Sequence, residues 1–239
     1  MKNIFLTIFC FAVTNIVAQG INKLDANGKR HGVWEKKYDN GNLRYHGTFD
    51  HGVEVDTFRF YFEEGSLKAV NSYRGKSGVS YSKQYGTDEL LAAEGLYKGT
   101  KRDSIWTFYN IDGDIIGRET FVNNKRNGTA ITYFPNGKVA EEFTYVDDVK
   151  NGSWKQYYRT GKPKAEGMYV NGKLHGAAVY YNDEGKVRIK GSYHNGKFNG
   201  PWYFFNGTEL EKKEVWRYGV MVSTTAEDET GDLKEDLTD

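Results

Sequence analysis

The sequence predicts an all-β protein: consecutive β-hairpin repeats in one elongated domain. Three observations carry that expectation. Aromatic runs of strand length are bounded by Gly and Asn. The pattern returns at one fixed interval, the step from Trp34 to Phe58, and keeps that register as far as Trp202. No repeat shows the i, i+3, i+4, i+7 apolar spacing of an amphipathic helix.

The unit is clearest between Gly152 and Gly176, GSWKQYYRTGKPKAEGMYVNGKLHG. Trp154 to Tyr158 reads as a strand, broken by Arg159-Thr160-Gly161. Lys164 to Val170 reads as its partner, ended by Asn171-Gly172. Asn-Gly between apolar runs is the strongest short hairpin signal. Glycine enters a left-handed corner freely, whereas a side chain there costs about 1–2 kcal/mol. The corner glycines are Gly41, Gly65, Gly113, Gly137, Gly161 and Gly185, with Glu89 and Glu209 in the remaining two slots. A period this regular marks a repeat architecture, in which each unit buries its apolar face against its neighbours.

In chain order, residues 1–18 read as a secretory signal peptide, a cleaved N-terminal signal helix. Lys2 supplies the charge, Ile4 to Val13 the apolar run and Ala18 the small residue. The run is too short to span a bilayer, which needs about 20 residues. Cys10 is the chain's one cysteine and leaves with the signal, so the mature chain has no thiol chemistry. Export places the protein in the periplasm or outside the cell. Residues 20–222 form the repeat domain, about eight repeats. Its first edge is Gly20 to Gly32. The pattern weakens between Val53 and Arg102, where Ser82 takes the tryptophan slot. Leu90 to Glu94 could make a helical turn, but the register sets Leu91 level with Leu43 and Leu67, in a strand. Glu214 to Val222 reads as the closing strand. Residues 223–239 are acidic and poor in apolar residues, and are expected to be disordered.

Composition excludes two classes. The 33 basic and 32 acidic residues leave a formal net charge of +1, with none of the clustering nucleic acid demands. A mean hydropathy of -0.72 is too polar for a lipid-facing barrel.

The segments NGKRHGVW (27–34), YVNGKLHG (169–176) and YHNGKFNG (193–200) resemble the MORN repeat. They are most similar to the variant found in bacterial YwqK-like proteins labelled antitoxin components. The resemblance implies antiparallel hairpins in one long, single-layer twisted sheet, and it carries no catalytic residues. Eight hairpins make about sixteen strands and, at about 4.8 Å each, a sheet about 75 Å long. An antitoxin would meet its toxin in the cytoplasm, which conflicts with the export signal.

Candidate chemistry is sparse. His31 and His175 share a slot with Asn127, Asn151 and Asn199, and His51 shares one with Asn171 and Asn195, so they read as turn residues. His46 with His51 is the one pair to weigh as a metal site, and the turn reading outweighs it. Glu94 and Glu166 fall in a slot that also holds His46, Arg118 and Lys190, which reads as a solvated face. No cofactor, metal or catalytic residue is expected, and the chain does not read as an enzyme. The aromatic columns are the candidate binding surface: Trp106, Trp154 and Trp202, with Tyr109, Tyr133, Tyr157 and Tyr181. The two columns lie three residues apart, hence on opposite faces. The expected function is a non-enzymatic scaffold holding a protein partner on its sheet. The alternatives are an antitoxin-like inhibitor that occludes an enzyme and an envelope glycan-binding module.

Overall fold

The computed structural model describes residues 20–227 and 233–237. The expected signal segment lies outside the described residues. Every regular element described is a strand, and the strands form one 21-stranded sheet. Strands follow one another in space as they do in sequence, and every pairing is antiparallel. Two strands are interrupted: Lys173–Leu174 continues as Gly176–Tyr181, and Lys197–Phe198 as Gly200–Asn206.

Two kinds of corner alternate. In the hairpin of Val149–Tyr157 and Pro163–Val170, Tyr157 faces Pro163 across a register shift. The loop closes when the Tyr158 N–H donates to the Lys162 carbonyl at 2.9 Å and the Gly161 N–H to the Tyr158 carbonyl at 2.8 Å. That geometry needs φ = 93° at Gly161. The other five corner glycines take φ between 76° and 105°. Glu89 adopts φ = 61° in the same slot, and its carboxylate accepts the Leu67 N–H at 2.9 Å.

The second corner is the two-residue Asn171-Gly172, with φ of 49° and 79°, a type I′ turn whose twist suits a hairpin. These turns are also stitched to each other. The Gly172 N–H donates to the Lys150 carbonyl at 2.8 Å, Asp148 to Arg126 at 2.9 Å and Gly196 to Leu174 at 2.7 Å. Each turn thus grips the repeat before it.

The core lies on one face of the sheet. Trp106 and Trp202 are fully buried there, beside Phe58, Ala93, Phe121 and Tyr145. Phe58, Trp106 and Trp202 each rest on a glycine of the preceding strand. A Cβ at Gly95 would come within 2.5 Å of Trp106 Cδ2, and Gly47 and Gly191 are covered in the same way by Phe58 and Trp202. The tryptophan column alternates large with small from residue 58 onward: Phe58, Ser82, Trp106, Ala130, Trp154, Ala178, Trp202. The backbone repeats with every unit, but the packing repeats only with every second one.

The weak stretch between Val53 and Arg102 keeps the fold. Leu91–Lys98 is a strand with Leu91 opposite Tyr85, as the register requires. Ser82 takes the small-residue place and pairs with Asn71. Both are left with a buried polar atom, Ser82 Oγ and Asn71 Oδ1, that no protein group satisfies.

The C-terminal end departs from expectation. The expected closing strand is two strands, Glu209–Arg217 and Val220–Glu227, turning at Tyr218 and Gly219. A further strand, Leu233–Leu237, pairs with Val220–Glu227, so the described part of the acidic tail extends the sheet instead of leaving it. The reason is the sheet edge itself. It offers unpaired backbone N–H and C=O groups, which a polar segment can meet without contributing apolar side chains.

Two outcomes test this packing. Gly161→Val is expected to destabilise the protein by about 1–2 kcal/mol, from the left-handed φ, and thermal denaturation measures it. Ser82→Ala is expected to raise stability by about 1 kcal/mol, by removing an unpaired buried hydroxyl where the lattice elsewhere carries Ala. A melting temperature that falls would mean the hydroxyl is satisfied.

Candidate binding faces

Strand alternation sends Trp106 and Phe108 to one face, Thr107 and Tyr109 to the other. The two faces have different chemistry.

The tryptophan face is closed over itself. Trp106 Nε1 donates to the Leu96 carbonyl at 3.0 Å and Trp202 Nε1 to that of Ser192 at 3.0 Å. Trp154 finds Phe143 where the others find glycine, and its Nε1 turns to the Glu141 carboxylate at 3.1 Å. Cations lie over the rings. The Arg102 guanidinium sits 4.5 Å from the Trp106 ring, Arg126 4.2 Å from Tyr145, and Lys150 Nζ 3.2 Å from Phe143. Desolvation against these rings lowers the Lys150 pKa. Tyr180 stands between Trp154 and Trp202 and shares a 2.8 Å hydrogen bond with the Tyr193 hydroxyl. Its own pKa is strongly raised, first by burial and then by that bond. The three tryptophans of the expected binding surface are therefore core. A ring with no exposed surface cannot meet a partner unless the sheet opens.

The tyrosine face is half-open. Tyr109 donates to Glu94 at 2.5 Å and Tyr181 to Glu166 at 2.5 Å, each a partner 15 residues earlier. At Tyr133 the same slot holds Arg118, whose guanidinium lies 5.9 Å from the ring, and at Phe205 it holds Lys190, 5.2 Å away. The charge at this slot decides how the ring is held: a carboxylate takes the hydroxyl and a cation takes the ring face. Glu94 and Glu166 are thus positioned acceptors, beyond the solvated face their slot suggests. Burial and Glu94 push the Tyr109 phenol up to about 12. The Glu166 hydrogen bond, then burial, push Tyr181 up to about 12. Tyr157 is raised by burial and by Glu142 and Glu166.

Two further features were not read from the sequence. Arg30, Lys36, Arg44 and Lys68 line an open groove of about 430 Å³ with Tyr38, Tyr45 and Phe60. Arg30 lies 5.1 Å from the Trp34 and Phe49 rings, and none of the four cations makes an ion pair among the described residues. These cations are far apart in sequence, and only hairpin stacking gathers them. The histidines are also regrouped. His46 pairs with Glu35 at 3.2 Å and stands apart from His51. His51 instead meets His31, Asp50 and Asp25. The His51 hydrogen bond is the main cause that holds the Asp25 carboxyl at about 2.

The phenols predict an alkaline transition. Unfolded tyrosine ionises near pH 10, whereas Tyr109 and Tyr181 keep their protons to about 12 in the fold. Their contribution is complete below the unfolded value and is lost as pH rises through the folded one. Thermal melts across that range are expected to fall more steeply for the native chain than for Tyr109→Phe/Tyr181→Phe. Equal slopes would remove the coupling.

The MORN repeat variant family matches residues 30–51, 126–147, 150–171 and 174–195. No curated protein matches the chain. Among solved structures it is similar to a TarM variant of S. aureus, at 19% identity and a TM-score of 0.31, over 45% of this chain and 21% of that one. It is also similar to the Photorhabdus luminescens Tc holotoxin pore, at 12% identity and a TM-score of 0.24, over 85% of this chain and 14% of that one. The chain spans about a fifth or less of the length of either, and scores this low carry no inference about function. Among the described residues no helix is long and apolar enough to cross a membrane. The MORN repeat variant family thus matches four of the repeats, and their neighbours fold in the same register.

Proposed function

We propose that this chain is an exported, non-enzymatic scaffold that holds a protein partner against its tyrosine face, in the periplasm or outside the cell. The observation that carries the reading is the regular column Tyr109, Tyr133, Tyr157 and Tyr181. Tyr109, Tyr133 and Tyr181 are held by Glu94, Arg118 and Glu166, and all four rings remain partly open to solvent. Successive rings are two strands apart, about 10 Å, so the column presents a strip about 30 Å long. Ile105 and Met168 lie on this face and are more than half exposed, at 59% and 52%. Pre-positioned tyrosines beside exposed apolar anchors suit a protein interface, because little side-chain freedom is lost on docking. An antitoxin-like inhibitor is the same interaction with an enzyme as the partner.

The basic groove favours a second reading, an envelope glycan that carries acidic groups. Tyr45 and Phe60 offer ring faces to a sugar, and Arg30, Lys36, Arg44 and Lys68 offer unpaired charge to its anions. The groove lies in the first two hairpins, away from the tyrosine column.

A pull-down from envelope extract separates the two. The expected result is a protein partner retained by the native chain, lost with Tyr109, Tyr133, Tyr157 and Tyr181 all changed to Ser, and kept with Arg44→Ala/Lys68→Ala. Recovery of sugar without protein, abolished by the Arg44→Ala/Lys68→Ala pair, would replace the first reading with the second.

A further inference from the structure

We propose that His31, Asp50 and His51 form a divalent transition-metal site at the first type I′ turn, with Asp25 as the group that orients His51.

Hydrogen-bond partners decide which atoms at this turn carry protons. Asp25 is held in place by its own turn, where Oδ1 accepts the Asn27 N–H at 2.8 Å and the Lys29 N–H at 2.9 Å. Its Oδ2 meets His51 Nδ1 at 2.5 Å, and its side chain is only 7% exposed. An ionised carboxylate only accepts, so His51 Nδ1 donates, and in the neutral imidazole Nε2 keeps its lone pair. His31 Nδ1 carries a lone pair that accepts the His51 backbone N–H at a long 3.4 Å, a bond that a metal would replace. Asp50 Oδ2 is taken by Lys76 Nζ at 2.5 Å, which leaves Oδ1.

Three acceptor atoms then lie together, and among the described residues the one donor to them is the His51 backbone N–H, at 3.4 Å from His31 Nδ1. His31 Nδ1 and His51 Nε2 each lie 3.7 Å from Asp50 Oδ1, and all three atoms fall within 4.8 Å of one another. A cation between them would take all three lone pairs, with His31 releasing its long bond to the His51 N–H. Zinc–nitrogen and zinc–oxygen bonds of about 2.0–2.1 Å at a tetrahedral angle set two ligands about 3.4 Å apart, so a small closure completes the site. Two imidazoles and one carboxylate suit Zn²⁺ and its first-row neighbours rather than Ca²⁺ or Mg²⁺. A carboxylate bonded to the far nitrogen of a ligating His is the usual second element of such sites. The ligand side chains are 36–55% exposed, so the metal has a path in and solvent can fill the remaining position.

The repeat supplies an internal comparison. Six units later His175 takes the place of His31, and its Nδ1 again accepts the backbone N–H of the turn residue, at 3.5 Å. There the turn residue is Asn195, the Asp50 slot holds His194, and the slot of Asp25 holds Tyr169. The backbone is the same and the converging acceptors are gone. The lattice also names safe replacements, since Asn fills the His31 and His51 slots elsewhere and Val fills the Asp50 slot.

The experiment is calorimetric titration of the chain with Zn²⁺ near pH 7.5, alongside melting temperatures with and without metal. One equivalent is expected to bind and to raise the melting temperature. His51→Asn is expected to abolish this binding and Asp25→Asn to weaken it about 10–100-fold, while His175→Asn changes neither readout. The metal-free His51→Asn chain should melt close to the native one, which shows that its fold is intact. Absence of Zn²⁺ binding would overturn the site. So would binding that survives His51→Asn, or that His175→Asn reduces equally.

Discussion

A single-layer sheet has no second layer to cover its apolar face, so the rings on that face must cover one another. Everything else in this structure follows from the way they lie down. An indole can lie flat on the neighbouring strand only where that strand has no side chain, which is why Gly95 lies beneath Trp106 and Gly191 beneath Trp202. Arginine and lysine then close the face from above, with their stems on the rings and their charges at the rim. The core is one side chain thick, yet Trp106 and Trp202 reach the burial of a globular interior. Stability in such a molecule accumulates by neighbours, and each repeat depends on the next one to seal it.

The same constraint doubles the period. Two full indoles in successive repeats would compete for the space between them, so the column alternates Trp106, Ala130, Trp154, Ala178 and Trp202. Where the small residue stands, a ring from elsewhere fills in, as Tyr180 does between Trp154 and Trp202. Trp154 shows how tightly position and partner are coupled. With Phe143 in place of a glycine beneath it, the indole gives up the backbone carbonyl its counterparts use and takes the Glu141 carboxylate.

Much of this was legible in the sequence because the turns are local. Gly161 and Asn171-Gly172 announce their φ values by residue type, and the strands between them follow. The opposite facing of the Trp and Tyr columns was legible from parity alone. The burial of the tryptophans was not, because it depends on what stands across from them on the preceding strand, Gly95 for Trp106 and Gly191 for Trp202. The pairing of Tyr109 with Glu94 was hidden for a similar reason: an offset between two residues has meaning only once the hairpin register is fixed. His51 was read against its own slot, as a turn residue, which it is at φ = 50°. Its ring meets His31 and Asp25, from an earlier strand and an earlier turn, and no single slot comparison brings those together. The acidic tail was judged by side chains, but a sheet edge recruits backbone.

The two faces divide the work of the molecule, and the division is forced. Rings that hold the sheet together cannot also be offered to a partner, so the tryptophan face is committed to the fold except where the groove of the first two hairpins opens on it beside Tyr45 and Phe60. The surfaces the packing leaves free are the tyrosine face, the groove of the first two hairpins and the row of I′ turns. On all three, the backbone lattice stays constant while one residue per repeat changes. Glu94 and Arg118 hold successive tyrosines by opposite means. Asn195 and His51 occupy one slot of the turn row, yet only His51 has an acid behind it and another in front. A repeat protein of this kind gains new chemistry by substitution at fixed positions, without any change of fold. The places to look for function are therefore where one repeat departs from its neighbours, and the histidine-bearing first turn departs furthest.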